Sequence, residues 1–166
     1  MSPAPKPASD SVSVTARWMG IQDTNRAGNV HGGTIMQMCD EGAALAAIRH
    51  YRRRVVTAAM DSMRFRSPVL VGNLLTLRAS VNAAWRTSME VGVRVEAEDV
   101  HTGEVTHTSS AYLTFVALDD DGRPTEIPPL FADTPDHQRR ERQAQVRRRI
   151  RLSGLEELAR AAAPPA

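Results

Sequence analysis

The stretch Asn25–Glu41, NRAGNVHGGTIMQMCDE, passes from a loop rich in glycine and asparagine into an apolar helix that carries two acids. Residues 20–33 hold four glycines and two asparagines and read as a loop. Residues 34–50 (TIMQMCDEGAALAAIRH) lack proline, are rich in Ala, Leu and Met, and are apolar on most sides. A helix apolar all round is expected to be buried. Gly42, Ala43, Ala44, Ala46 and Ala47 are small enough to let other backbone approach. The basic run Arg49-His50-Tyr51-Arg52-Arg53-Arg54 suits a helix C-terminus, where cations offset the dipole.

Outward from this helix the period changes to two. Residues 11–19 alternate apolar and polar and predict a first strand. Further strands are expected at 55–65, 74–84, 88–98 and 104–118. In the segment 88–98, Met89, Val91, Val93, Val95 and Ala97 share one face and Glu90, Arg94, Glu96 and Glu98 the other. Short turns between alternating strands imply an antiparallel sheet. A buried helix and a half-buried sheet satisfy each other if the sheet wraps around the helix, which makes the fold class α+β. The open edges of such a sheet call for a second copy of the chain.

The flanks read differently. Residues 1–10 hold three prolines and little apolar content, and are expected to form a disordered leader before a domain at 11–130. Residues 131–166 form an arginine-rich tail. Thr134-Pro135-Asp136 looks like a helix start, with Thr as N-cap and Pro in the first turn. Residues 136–152 hold seven arginines, so that helix is expected to be solvated and lightly packed. Residues 1–135 carry 13 Lys and Arg against 15 Asp and Glu, whereas 136–166 carry 8 against 4. The basic character lies in the tail, so no nucleic-acid-binding core is expected. No apolar run is long enough to span a membrane, and the single cysteine, Cys39, allows no intrachain disulfide; a cytoplasmic protein is expected.

The chemistry is expected where the loop meets the helix. Unpaired backbone amides at a helix N-terminus, here at Gly32 and Gly33, suit a phosphate or a carbonyl oxygen becoming an oxyanion. Asp40 and Glu41 sit in an apolar helix, where a carboxylate is costly unless paired or used. Glu41 reads as a helix-edge residue. Asp40 lies seven residues past Gly33, on the same face but roughly 10 Å away along the axis. In a symmetric dimer, Asp40 of one helix faces the amides of the other chain. His50, His101, His107 and His137 show no metal-ligand spacing, Cys39 lacks a base partner, and no serine-nucleophile elbow or phosphate loop occurs.

The ordered pattern Asn25-x-x-Gly28-x-x-x-Gly32-Gly33, then Met38-x-Asp40-Glu41, resembles the acyl-CoA hydrolase branch of the hotdog thioesterases, in its short bacterial form. The resemblance continues through Val56-Thr57, Phe65-x-x-Pro68-Val69-x-x-Gly72, Arg86-Thr87-Ser88-Met89-Glu90-Val91 and the run Tyr112–Leu118 to Asp121-Gly122-Arg123-Pro124. It spans about residues 14–130. Asn73 departs from it, since the family usually has Asp after Gly72. The resemblance implies a hotdog fold, a sheet around one long helix with an added C-terminal helix, and hydrolysis of acyl-CoA without a cofactor. It implies that Gly32 and Gly33 polarise the thioester carbonyl. Asp40 serves as general base or as nucleophile, and Asn25 comes from the facing subunit. It places the CoA moiety at Arg86, Thr87 and Ser88, with Arg64, Arg66 and His31 as further binding candidates. It also implies a homodimer as minimal unit and trimers of dimers, hence hexamers. Two alternatives stay open: a hotdog hydratase or dehydratase using His31 with Asp40, and a non-catalytic acyl-CoA sensor whose arginine-rich helix binds a partner or nucleic acid.

Overall fold

A computed structural model describes residues 3–162 of the chain. In chain order the elements are β1 (Lys6–Pro7), β2 (Ser13–Trp18), α1 (Gly32–Tyr51), β3 (Val55–Phe65), β4 (Asn73–Ala84), β5 (Ser88–Asp99), β6 (Val105–Ala117), β7 (Leu130–Phe131) and α2 (Pro135–Ala161). Five strands form one antiparallel sheet in the order β2-β4-β5-β6-β3.

The inner face follows the period of two. Leu75, Leu77, Ala79 and Val81 of β4, Met89, Val91, Val93 and Val95 of β5, and Ala111, Leu113, Phe115 and Ala117 of β6 are all buried. They form one core with Ile35, Met38, Cys39, Ala43, Ala46 and Ala47 of α1. The small residues let the helix lie close to the sheet: Ser13 Oγ donates to the Gly42 carbonyl at 2.8 Å. The helix ends at Arg52, which takes the left-handed conformation (φ 65°) while its amide donates to the Ile48 carbonyl.

The helix is not buried on every side. Met36, Leu45 and Ile48 are more than two-fifths exposed, and Leu45 and Ile48 share one stripe of α1 with Gln37 and Glu41. Composition alone missed this, because the stripe is itself partly apolar. Beside it runs β3, paired only with β6 and carrying bulges at Ala58 and Asp61.

The expected disordered leader is overturned for residues 3–10; residues 1–2 lie outside the described residues. β1 pairs in parallel with β7, joining the two ends of the domain. Residues Ala8–Ser11 make a 3-10 turn with Ala8 and Ser11 buried. Ser11 Oγ accepts the Val81 amide at 2.9 Å, and Lys6 Nζ donates to the His50 carbonyl at 2.7 Å. The prolines suit this short extended segment, whose N–H groups are largely unneeded.

The tail helix is mostly exposed, with Ala144 its one buried residue among those described, but its contact with the sheet is specific. Thr134 does cap α2, accepting the His137 amide at 3.1 Å. The helix then crosses the outer face of the sheet on a stripe of Arg140, Ala144, Arg147 and Arg151. Arg140 donates to Ser80 Oγ on β4 at 3.0 Å. Arg147 grips Glu90 of β5 through two hydrogen bonds, at 3.0 and 2.6 Å, and stacks on Tyr112 of β6. Arg151 pairs with Asp61 of β3. Ala144, between them, is fully buried. Glu90 belongs to the outer face, as the alternation requires, but that face is covered here and its side chain is 0% exposed.

Candidate active site

The loop before α1 is organised by a residue the sequence reading passed over. Asp23 is buried, forms an ion pair with Arg17, and accepts the Gly20 amide at 2.9 Å. Its carbonyl accepts the amide of His31, the residue that precedes the helix. Asn25 closes the loop that follows. Its Oδ1 accepts the Ala27 and Asn29 amides at 2.9 and 3.3 Å, and Gly28 (φ 81°) makes the turn. The carboxamide oxygen is thus occupied within the loop, while Nδ2 donates to no side chain or backbone group among the described residues. An Asn-Gly pair three residues apart is the sequence signal for such a turn, although it does not reveal which amide atom stays free.

The two glycines opening α1 differ in their surroundings. A side chain at Gly32 would meet the Phe65 ring at 3.3 Å, so this glycine makes room for Phe65. Nothing lies within 4 Å of the corresponding point at Gly33, which is exposed. The fold of one chain therefore does not require glycine at 33, and the first-turn amides are open to an incoming group. Gly32, Asn29, Val30, Phe65 and Arg66 line a cleft of about 390 Å³ at this helix end. Arg66 is thus brought beside the glycine loop, whereas Arg64, also exposed, does not line it.

Asp40 lies on the border between the buried and exposed sides of α1, facing β3. Thr57 Oγ1 donates to Asp40 Oδ1 at 2.7 Å. This leaves Oδ2 without a partner among the described residues. In the sequence Thr57 belongs to a strand and to the family pattern at Val56-Thr57, with no role attached to it. Its role depends on how β3 sits against α1, which no local pattern reports. Glu41 is exposed and accepts from Gln37 at 3.0 Å, as a helix-edge residue does. Cys39 is fully buried; burial first, and then the Asp40 charge, push its thiol up to about 12, so it is a core residue rather than a nucleophile.

Within one chain, no hydrogen bond joins Asp40 to Asn25, Gly33 or His31. His31 is exposed, nine residues and roughly 13 Å of helix axis from Asp40, so the two do not pair within one chain. The turn of Arg86, Thr87 and Ser88 is closed by the Trp85 amide donating to the Ser88 carbonyl at 2.8 Å. It is tied down by Ala117 and Ile127, whose amides donate to the carbonyls of Thr87 and Arg86. Arg86 is exposed at its tip. Among the described residues, no group of three His, Cys, Asp or Glu side chains is placed to hold a metal ion, and no helix is long and apolar enough to cross a membrane.

Against known proteins, the sequence pattern of the thioesterase superfamily matches residues 27–104. The chain is 39% identical over 130 residues to an uncharacterized acyl-CoA thioester hydrolase of Zymomonas mobilis, covering 78% of this chain and 83% of that protein. Its structure resembles the acyl-CoA hydrolase of Staphylococcus aureus in complex with butyryl coenzyme A, coenzyme A and coenzyme A disulfide. That likeness has a TM-score of 0.88 at 34% identity and covers 95% of this chain and 96% of that one. Variants of the S. aureus enzyme with alanine for one aspartate, one asparagine and one threonine have also been solved. A hexameric acyl-CoA thioesterase matches with a TM-score of 0.88 at 37% identity, over 97% of this chain and 99% of that one.

Proposed function

The chain belongs to the thioesterase superfamily as an acyl-CoA thioesterase of the hotdog fold, and we propose that Asp40 is the group that drives its hydrolysis of acyl-CoA to free acid and CoA. The hydrogen bond from Thr57 carries this reading. It fixes one carboxylate oxygen and leaves the other free to work. The spacing agrees. The altered asparagine, aspartate and threonine of the S. aureus enzyme follow one another at intervals of 15 and 17 residues, as do Asn25, Asp40 and Thr57 here.

The Gly33 amide, with Gly32 beside it, donates to the thioester carbonyl oxygen as it gains charge. Asp40 takes a proton from water, whose oxygen attacks the carbonyl carbon while the C–S bond breaks and CoA leaves. In the other route, Asp40 itself attacks the carbonyl carbon, the C–S bond breaks and CoA leaves, and water then cleaves the resulting anhydride. The two routes part on rapid quenching, where only the second leaves an acyl adduct on the peptide that holds Asp40.

A second copy completes the site. Gly33 and Asp40 are roughly 10 Å apart on one helix, too far to act on one carbonyl. The free edge of β3 and Met36 flank Asp40, and Leu45 and Ile48 stay exposed farther round the helix. Pairing there brings the facing subunit's glycine loop and Asn25 Nδ2 to the carboxylate and its water. We extend this to a trimer of dimers working in the cytoplasm. The CoA moiety is assigned to the Arg86-Thr87-Ser88 turn, with Arg66, Arg64 and His31 as weaker contacts. Release of thiol from a panel of acyl-CoAs by the purified protein tests the function. An Asp40→Ala variant as active as wild type on every chain length sinks the assignment of Asp40.

A further inference from the structure

Among the described residues, the arginines of α2 that face the sheet are paired with one exception. Arg140 is held by Asp136 and Ser80, Arg147 by Glu90, and Arg151 by Asp61. Arg148 has no such partner. Its guanidinium lies over the Trp85 ring, 4.3 Å from the centroid, and its buried Nη1 finds no acceptor among the described residues. A guanidinium keeps its proton and carries only donors, so a buried donor left unmade costs free energy. Burial, and next the charge of Arg151, both work against the cation. Such an arrangement fits a cation set out for an anion that arrives from elsewhere.

The position says which anion. Trp85 is fixed on both sides: Nε1 donates to Gln145 of α2 at 3.2 Å, and its amide closes the turn onto Ser88. Arg148 therefore meets the Arg86-Thr87-Ser88 turn from the helix side, while Arg86 stands exposed at the tip. The turn lies at the end of the sheet nearest the carboxylate's partner. Ser88 pairs with Val116 and Val116 with Val56, so two strand spacings, about 10 Å, separate it from the residue beside Thr57.

We propose that Arg148 binds a phosphate of the CoA nucleotide through its guanidinium, with Trp85 holding the guanidinium at the turn. This rests on the acyl-CoA hydrolase reading above. Arginine suits the task because its flat fork both stacks on the indole and matches phosphate oxygens; lysine supplies only the charge.

The test compares wild type, Arg148→Ala and Arg148→Lys as full-length chains on two substrates with the same acyl group. One is the acyl-CoA and the other the acyl thioester of N-acetylcysteamine, which has no phosphate. Arg148→Ala raises KM for acyl-CoA about tenfold, the size expected for a lost charge-assisted bond, with kcat within about twofold. It leaves KM for the short thioester unchanged. Arg148→Lys recovers part of the loss, and added salt narrows the gap between wild type and Arg148→Ala. Equal losses on both substrates make Arg148 a structural prop and overturn the proposal, as does an unchanged KM for acyl-CoA in an active enzyme. If wild type hydrolyses neither substrate, the acyl-CoA hydrolase reading itself falls, an outcome visible without any variant.

Discussion

Thr57, on the edge strand β3, donates a hydrogen bond of 2.7 Å to Asp40, in the middle of α1. The bond orients the carboxylate. Asp40→Asn keeps the shape and removes the proton acceptor, so kcat falls roughly 100- to 10,000-fold, the range for loss of a general base. Thr57→Val removes the donor alone and lowers kcat by about tenfold, the scale of one hydrogen bond to a charged group. In the Asp40→Asn background the threonine change adds little. Steady-state kinetics of the four proteins on one acyl-CoA measure this; independent, additive losses contradict the coupling.

The two helix-opening glycines separate packing from chemistry. Gly33→Ala meets open space in the chain, so the melting temperature holds or rises, because Ala is the better helix former. Activity nevertheless drops, since the new methyl stands where the thioester carbonyl approaches. Gly32→Ala crowds Phe65 and lowers the melting temperature. A Gly33→Ala enzyme with full activity counts against the oxyanion role.

Glu90 is 0% exposed and Arg147 is its counter-charge. Arg147→Ala leaves a buried carboxylate unpaired and destabilises the fold by about 3–5 kcal/mol in urea unfolding. Adding Glu90→Gln to that variant returns part of the stability, because a neutral amide is cheaper to bury. If the double variant is no more stable than Arg147→Ala, the loss comes from packing on Tyr112 rather than from charge.

His50 is fully buried, with Nε2 2.8 Å from the Pro128 carbonyl. Burial lowers its pKa from about 6.5; the Pro128 carbonyl opposes that shift, and the Lys6 ammonium adds to it. The unfolded chain therefore binds the proton more readily than the folded one. Stability is present above pH 6.5 and is lost as the pH falls below it toward the folded-state pKa. Between pH 7.5 and 5 the melting temperature of wild type declines. In His50→Gln the slope over that window flattens.

Leu45 and Ile48, exposed on α1, lie on the side of the helix proposed to meet the second chain. Leu45→Glu with Ile48→Glu weakens self-association in sedimentation and lowers activity in step. Monomers that turn over substrate at the wild-type rate refute the shared site.

Much of the frame was legible in the chain. Alternation marked the strands at 74–84 and 88–98 to within a residue of Asn73–Ala84 and Ser88–Asp99. The helix was found but begins earlier than composition suggested, at Gly32, because the loop's bonds to Asp23 set the entry angle. What escaped notice rests on contacts between distant positions. Lys6–Pro7 finds its partner at Leu130–Phe131, across nearly the whole domain. Alternation placed Glu90 on the polar face of its strand, but its cover arrives 57 residues later. Asp40 stood out as a charge in an apolar helix, whereas Thr57 is an ordinary strand residue until register gives it a carboxylate to hold.

The crossing of α2 over β4, β5, β6 and β3 has a consequence for how the chain is assembled. Each strand offers one residue to the helix, and side chains along a strand alternate between faces. A slip of β5 by one residue turns Glu90 inward and offers Val91 to Arg147. Because α2 follows all four strands in the chain, its contacts with them come together only over a sheet in this one register.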